Sequence, residues 1–327
     1  MKYIENNSID PHYNLAFEEY IFKYLQEDVV LLWRNGPSII VGKNQNTIEE
    51  INMDYVKENN INVVRRVTGG GAVYHDLGNL NFSFITKAES NLIDFKTYNI
   101  PILKALEKLG VNCQLSGRND IVIDEKKFSG IAQSIIKGRV LNHGTLLFDS
   151  KLDTLSKALN VKRDKIESKG VKSVSSRVTN IKPYVKDDID VLEFKQILLK
   201  NIFEHFNEPI EIYELSEEDK KNIQKMVDER YGTWEWNYGK SPKFNYKGYN
   251  RYAGGCVEAR LQVEKGIIEN CKIYGDFFGK SDILELEQRL KGLKYDKSEV
   301  VNALDNVSVE DYLGRISKEE FLQCLFD

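Results

Sequence analysis

Three consecutive glycines, Gly69-Gly70-Gly71, constrain the fold more than any other stretch of the chain. Strand-like segments flank them, residues 61–64 before and residues 72–74 after. Because glycine has no Cβ atom, such a loop can adopt positive φ angles and turn its backbone N–H groups toward one anion. The preceding Arg66 adds a guanidinium group that is always charged. The stretch therefore predicts a phosphate-binding loop held by a sheet.

The spacing separates this loop from the common nucleotide motifs. No Lys-Ser or Lys-Thr pair closes it as in a P-loop, and it lacks the G-x-G-x-x-G pattern that opens a helix. A bare glycine triplet is also typical of a tight hairpin turn. The hydroxyl of Thr68 and the pairs Arg65-Arg66 and His75-Asp76 favour a binding site over a simple turn.

The composition is that of an ordinary globular protein. The chain has 327 residues, of which 41% are hydrophobic and 29% charged, and its formal net charge of -4 gives no positive field for nucleic acid. No apolar run approaches the length of a membrane span, and the N-terminus lacks the apolar core of a signal peptide, so we expect a cytoplasmic protein without a membrane partner. The four cysteines include no C-x-x-C pair, which argues against a zinc site or a disulfide framework.

The order of the local patterns predicts two domains. Asp10-Pro11 is a typical helix start, and apolar runs at 29–33 and 38–41 predict a hairpin. We expect a catalytic domain over residues 1–240, a linker over residues 241–253 and a small accessory domain over residues 254–327 that docks on the first. The apolar face of the first helix should carry Tyr13, Phe17, Tyr20, Ile21 and Tyr24.

Short turns between predicted strands bring polar groups into one cleft. The clusters Gly117-Arg118-Asn119-Asp120 and Lys127-Phe128-Ser129-Gly130 both lie at strand ends. The combined set is rich in positive charge and N–H donors and has no adjacent Cys-His or Ser-His-Asp arrangement, so it suits binding of phosphate and carboxylate oxygens. The candidates are Arg66, Thr68, Gly69, Gly70, Gly71, His75, Asn79, Asn119, Asp120, Lys127 and His143.

Lys127 is the candidate catalytic residue. When a carboxylate attacks the α-phosphate of a nucleotide, negative charge grows on oxygens that already repel one another, and a lysine touching both groups would neutralise it. Most lysines are solvated surface residues. The position of Lys127 just before Ser129-Gly130, in a sheet that reads as buried, favours the catalytic role. For His75 and His143 the choice between positioning a substrate and filling the core stays open.

Five blocks of the sequence resemble the lipoate-protein ligase family, in the order in which that family carries them. The tail from about residue 245 resembles the accessory domain of the same family. The blocks are Arg65-Arg66-x-Thr68-Gly69-Gly70-Gly71-Ala72-Val73-Tyr74-His75-Asp76-x-Gly78-Asn79, Gly117-Arg118-Asn119-Asp120, Lys127-Phe128-Ser129-Gly130, His143-Gly144-Thr145-Leu146-Leu147 and Ser175-Ser176-Arg177-Val178-Thr179-Asn180.

The resemblance implies a fold and an activity. The fold would be α+β, with a mixed-sheet catalytic domain similar to biotin ligases and class II synthetases and a small α+β C-terminal domain. Lipoate and ATP, with Mg²⁺, would give lipoyl-AMP and pyrophosphate. The lipoyl group would then pass to a lysine of an apo lipoyl domain of a 2-oxoacid dehydrogenase E2 subunit, or of the glycine cleavage H protein. The acid would be (R)-lipoate, with octanoate left open.

The resemblance also implies roles for individual residues. The dithiolane tail would lie in an apolar tunnel beside the glycine loop, and the C-terminal domain would swing between the two steps. A loop with Lys169, Val174, Ser175 and Arg177 would close over the adenylate. The implied contacts to lipoate and ATP are Arg66, Thr68, Gly69, Gly70, Gly71, Ala72, Val73, Tyr74, His75, Asn79, Asn119, Asp120, Lys127, His143, Gly144 and Thr145. No metal ligand is assigned.

Two other functions compete with this interpretation. An octanoyl- or lipoyltransferase on the same scaffold would move acyl groups between carrier proteins without ATP. An octanoyltransferase would use a reactive thiol, for which Cys113 is the only cysteine near the site strands. A non-catalytic protein that binds lipoyl carriers would have no use for a phosphate loop or for Lys127.

Overall fold

The computed structural model describes residues 1–88, 97–117, 119–159, 178–238, 246–264 and 266–326. Strands and helices alternate irregularly along the N-terminal part. Its strands are β1 (Lys2–Tyr3), β2 (Val29–Trp33), β3 (Ser38–Val41), β4 (Asn62–Arg65), β5 (Val73–His75), β6 (Asn79–Lys87), β7 (Gln114–Ser116), β8 (Asp120–Ile123), β9 (Lys126–Ile136), β10 (Arg139–Leu147) and β11 (Glu211–Ile212). Its α-helices are α1 (Pro11–Tyr24), α2 (Thr47–Glu50), α3 (Met53–Glu58), α4 (Ile100–Lys108), α5 (Leu152–Ala158), α6 (Val191–Phe206), α7 (Glu217–Met226) and α8 (Trp234–Asn237).

A large mixed sheet forms the centre of this part. Among the described residues its strand order is β11-β1-β2-β6-β10-β9-β8-β7. β1 is parallel to β2 and β11, whereas the remaining neighbours are antiparallel. One face packs on α4 and α6 through a core that contains Phe84, Leu106, Phe194 and Leu198. The other face packs on α1.

A second sheet carries the glycine loop. Its order is β4-β3-β5, with β3 parallel to β4 and antiparallel to β5. Both strands that flank the glycines therefore pair with β3 and not with each other, which rules out a simple hairpin turn. The predicted hairpin of 29–33 with 38–41 is wrong, because β2 and β3 belong to different sheets. Asn35, between them, is fully buried and bonds to the side chain of His75, so the connection is a crossing between sheets.

α1 is positioned by its N-terminus and by its buried face. The Asp10 side chain accepts a hydrogen bond from the His12 amide, and Pro11 stands in the first turn, as predicted. The predicted apolar face is only partly right. Tyr24 is 62% exposed, whereas the polar Asn14 and Glu18 are buried. This face brings a carboxylate into the interior beside the glycine loop.

The C-terminal part is a smaller α+β unit. Its antiparallel sheet packs on four helices around Val257, Leu261, Leu286 and Phe321. Its elements are β12 (Tyr246–Tyr252), β13 (Gly255–Glu264), β14 (Ile267–Gly275), α9 (Ile283–Leu290), α10 (Lys297–Ala303), α11 (Val309–Leu313) and α12 (Lys318–Phe326). The predicted α+β class, with a mixed sheet and a small C-terminal unit, is confirmed. Within the described residues, no helix is long and apolar enough to span a bilayer.

The predicted linker over residues 241–253 is wrong for residues 246–252, which form β12 and pair with β13. The polar residues of this stretch hide a strand pattern. Tyr246 and Tyr252 pack on the core from one face of the strand, and Gly248, on the same face, lies against the Cys324 carbonyl. The division into domains at 1–240 and 254–327 remains a prediction in its other parts.

Candidate active site

One cavity is lined by residues of the large sheet, β3, α1 and the glycine loop. It contains the predicted site residues Arg66, Gly70, Gly71, Ala72, Val73, His75, Asn119, Lys127, His143, Gly144 and Thr145. Residues that the sequence analysis did not select complete the lining: Leu15, Trp33, Ile40, Asn81, Gly130, Ile131 and Ala132. The cavity thus has a polar, cationic lining beside a largely apolar one.

Arg66 holds the glycine loop in shape. Its Nη2 atom donates to the carbonyl oxygens of Gly69 (2.6 Å) and Gly71 (2.9 Å), and its Nη1 atom donates to Ile40 O at 3.1 Å. The Nε atom donates to Thr68 Oγ1 at 3.0 Å. Burial lowers the pKa of this guanidinium to about 10, so it remains cationic at neutral pH. These four hydrogen bonds engage most of its donors within the protein.

A buried relay connects this loop to α1. The His143 ring accepts or donates at both nitrogens: Nε2 lies 2.7 Å from Thr68 Oγ1, and Nδ1 lies 2.8 Å from Glu18 Oε1. Ser83 donates to the same carboxylate. Glu18 is 1% exposed, and its negative charge opposes the buried positive charge of Arg66. The sequence analysis noted no adjacent hydroxyl–histidine–carboxylate set, but the fold assembles Thr68, His143 and Glu18 in that order.

The C-terminal unit covers the other side of the glycine loop. A Cβ atom at Gly69 would lie 2.2 Å from the Phe277 carbonyl oxygen, and one at Gly70 would lie 3.0 Å from Cζ of Phe278. Gly70 also has a φ of +91°, which side chains rarely adopt. Nearby, the Gly275 amide donates to Asn44 O at 2.7 Å. Close backbone approach between the two units therefore requires glycine here, in addition to any role in phosphate binding.

Lys127 lines the cavity together with Gly70 and Gly71. Its Nζ atom forms an ion pair with Asp120 Oδ1 at 2.7 Å and would lie in tight contact, 3.0 Å, with a Cβ atom at Gly130. The backbone of Lys127 is also engaged: its carbonyl accepts from the Thr179 amide at 2.9 Å, and it forms a parallel bridge with Val178. The chain that follows the predicted adenylate loop is thereby attached to the candidate catalytic lysine.

Five predicted site residues are not in the cavity lining. Thr68 and Gly69 act through the loop contacts above, and Asp120 acts through Lys127. Tyr74 is 4% exposed and packs into the cluster on the far side of the small sheet. Asn79 is buried and donates to Asn81 Oδ1 at 2.9 Å. The predicted adenylate-loop residues Lys169, Val174, Ser175 and Arg177, like Arg118, lie outside the described residues.

Of the residues that sequence reasoning missed, only Glu18 carried a readable signal. Asn14 and Glu18 are four residues apart on α1 next to Leu15, so two polar side chains interrupt the apolar face at helical spacing. Trp33 and Asn81 carried no such signal. They are cross-strand partners on β2 and β6, and composition does not encode this long-range register.

The cavity combines apolar side chains with Arg66 and Lys127, a lining that suits a small molecule with an apolar chain and an anionic end. The sequence matches the family Lipoyl protein ligase A/B catalytic domain over residues 10–203 and the family Bacterial lipoate protein ligase C-terminus over residues 241–325. It is 51% identical over 332 residues to lipoate-protein ligase LplJ of Bacillus subtilis (strain 168), covering 100% of each chain.

Solved structures agree with these matches. P. falciparum LipL1 in complex with lipoate is 29% identical, with a TM-score of 0.77 and 94% of each chain covered. Lipoate-protein ligase A bound with ATP is 30% identical, with a TM-score of 0.65, and the alignment covers 73% of this chain and 98% of that one. This chain belongs to the lipoate-protein ligase family.

Gly69→Ala should loosen the contact between the glycine loop and the C-terminal unit, because the added methyl group meets a backbone carbonyl. We expect faster amide hydrogen exchange at Gly275 and a loss of about 1–3 kcal/mol in the free energy of unfolding. Gly36→Ala is the matched control, since its Cβ atom would make an ordinary 3.5 Å contact with Ile9 O. Unchanged exchange at Gly275 in Gly69→Ala would contradict the docking role.

Glu18→Ala should remove the carboxylate that faces His143 and leave the buried charge of Arg66 uncompensated. We expect the free energy of unfolding in urea to fall by about 3–5 kcal/mol. Glu27→Ala, which removes an exposed ion pair with Lys2, should cost about 0–1 kcal/mol. Equal losses in the two variants would show that the relay contributes no more than a surface pair.

Proposed function

We propose that this chain is an ATP-dependent lipoate-protein ligase that works in two steps. In the first step a lipoate carboxylate oxygen attacks the α-phosphorus of ATP, the bond to the β-phosphate oxygen breaks, and pyrophosphate leaves. In the second step the amine of an acceptor lysine attacks the carbonyl carbon of lipoyl-AMP, AMP leaves, and the amine loses a proton. Family membership supports this reaction, as do the relatives that carry lipoate and ATP.

The observation that carries the proposal is the position of Lys127. Its ammonium faces the cavity that Gly70 and Gly71 also line, with Asp120 as its counter-ion. Between the attacking carboxylate and the α-phosphate, a cation neutralises charge that grows as the bond forms, which is worth on the order of 3 kcal/mol or more in comparable sites. The Asp120 pair keeps the ammonium directed at the cavity before substrates arrive.

We propose places for the two substrates in the rest of the cavity lining. The acyl chain of lipoate fits the apolar part formed by Leu15, Trp33, Ile40, Ile131 and Ala132. The adenylate fits the polar part near the glycine loop and Asn119. The buried charge of Arg66 and the loop amides lower the cost of placing phosphate there.

We assign Mg²⁺ to the phosphates of ATP. Among the described residues, no group of three or more His, Cys, Asp or Glu side chains is placed to hold a metal ion. Mg²⁺ commonly enters such sites with the nucleotide and keeps several waters, with at most one or two protein carboxylates. Bound in this way, Mg²⁺ would neutralise the pyrophosphate leaving group.

The proposed acceptors are apo lipoyl domains of 2-oxoacid dehydrogenase E2 subunits or the glycine cleavage H protein, in the cytoplasm. Residues 1–240 would carry out adenylation and transfer, and the C-terminal unit would change its position between the steps. Its contacts with the glycine loop, together with the ion pair of Lys43 and Asp282 at 3.4 Å, support a link between that position and the site.

Cysteine-based acyl transfer has less support. Cys113 is half-buried against the core on α4 and α6 and is not among the cavity-lining residues. Burial raises the pKa of its thiol to about 11, so at neutral pH it is protonated and a poor nucleophile. The other three cysteines lie in the C-terminal unit and are buried.

Lys127→Ala should abolish lipoyl-AMP formation, with at least a hundredfold loss in lipoate-dependent exchange of pyrophosphate into ATP. The control is Lys126→Ala, which removes the exposed neighbouring lysine on β9. Both variants should keep the wild-type unfolding midpoint. Normal exchange in Lys127→Ala would overturn the proposed role of this lysine.

Cys113→Ser should retain acyl transfer, and modification should need ATP in both proteins. The measurement is the mass of an apo lipoyl domain after incubation with enzyme and lipoate, with and without ATP. A mass increase without ATP, or its loss in Cys113→Ser, would favour the transferase. No modification under any condition would favour a non-catalytic carrier-binding protein.

A further inference from the structure

Two buried N–H groups that line the cavity have no hydrogen-bond partner among the described residues. His75 Nε2 and Asn81 Nδ2 lack a hydrogen bond to any residue that the structure describes. His75 is 3% exposed and Asn81 is 2% exposed, and both line the cavity. An unpaired buried donor costs free energy, so these groups indicate a ligand atom that can accept a hydrogen bond.

A chain of hydrogen bonds fixes the proton on His75. Asn14 Nδ2 donates to the carbonyl oxygens of Ser8 and Arg34, both at 2.9 Å, which fixes the orientation of this amide. Its two protons are shared among these two carbonyl oxygens and Asn35 Oδ1, which also lies 2.9 Å away, so Asn35 turns its Nδ2 toward His75 Nδ1 at 3.0 Å. Nδ1 therefore accepts. Burial, with the charge of Arg66 adding to it, lowers the His75 pKa to about 3, so the ring is neutral and its one proton is on Nε2.

Asn81 supplies the second donor. Its Oδ1 accepts from Asn79, which leaves Nδ2 unpaired. On one side its cross-strand neighbour is Trp33, whose indole Nε1 already donates to Ser83 Oγ at 3.1 Å. Trp33 therefore offers a ligand an apolar ring and no further donor. Both free N–H groups thus line the same cavity as the ring of Trp33.

The distance from Lys127 matches the substrate. The Gly130 amide donates to Thr145 Oγ1, and Thr145 is directly opposite Asn81 on the next strand. With Lys127 Nζ beside Gly130, the ammonium and Asn81 are about two strand spacings apart, roughly 10 Å. An extended eight-carbon acid with its carboxylate at Lys127 places its far end beside Asn81.

We propose that His75 and Asn81 bind the sulfur atoms of the dithiolane ring and so make the enzyme prefer lipoate to the saturated chain of octanoate. Divalent sulfur is a weak acceptor that tolerates an apolar site and packs well against an aromatic ring such as Trp33. The tail of octanoate has no acceptor and leaves both donors unpaired. This inference rests on the proposed ligase function.

The test compares kcat/KM for lipoate with kcat/KM for octanoate, in wild type, His75→Phe and Asn81→Leu. Each variant keeps a side chain of similar bulk and removes a donor. We expect the lipoate/octanoate ratio to fall at least tenfold in each variant. Thr86→Val is the control, because Thr86 Oγ1 on the same strand is also buried and unpartnered but lies outside the cavity. Its ratio should equal that of wild type.

Equal losses for both acids, or an unchanged ratio, would overturn the proposal and leave His75 and Asn81 with packing roles only. Calorimetric binding of the two free acids separates this result from a failure of the ligase function. If wild type binds lipoate more tightly than octanoate and both variants lose that difference, the sulfur site stands even if no adenylate forms. If wild type binds both acids equally, the proposal is wrong whatever the catalytic rate.

Discussion

The structure of the site depends on one buried cation. Arg66 places its guanidinium inside the glycine loop and donates to carbonyl oxygens on both sides of the turn. Those two carbonyl oxygens therefore point toward the guanidinium. Burying a guanidinium requires compensation. The carboxylate of Glu18, reached through His143 and Thr68, provides it from a helix far away in sequence.

This arrangement separates the features of the candidate site that local sequence encodes from those that depend on tertiary structure. The glycine triplet, Lys127 and His143 could be predicted because their chemistry is local: a flexible turn, a lysine at a strand start, a polar residue in a strand. The role of Arg66 as an internal clamp could not, since it depends on where the carbonyls of Gly69 and Gly71 point. Tyr74 was expected at the ligand but faces the opposite side of the small sheet, because β5 pairs with β3 and alternates between two buried faces.

For the fold as well, local features could be predicted from the sequence and long-range strand pairing could not. The cap of α1 and most strands were readable because caps and apolar alternation are encoded within a few residues. Sheet membership was not. The chain from Trp33 to Ser38 looked like a hairpin turn, yet its buried Asn35 connects two sheets and orients His75. In β12 only Tyr246 and Tyr252 pack on the core, and the polar residues between them hid the strand, since an edge strand of a small unit needs little apolar surface.

The glycine loop borders the cavity on one side and contacts the C-terminal unit on the other. Gly70 and Gly71 line the cavity, while Gly69 and Gly70 lie against Phe277 and Phe278 of the C-terminal unit. Arg66 joins the two faces through the carbonyls it holds. A ligand that favours one shape of this loop must therefore favour one docked state of the C-terminal unit, and that state must change the affinity for the ligand by the same factor. The three glycines must leave room for a ligand, accept hydrogen bonds from Arg66 and allow close contact with the C-terminal unit. A loop without side chains can do all three.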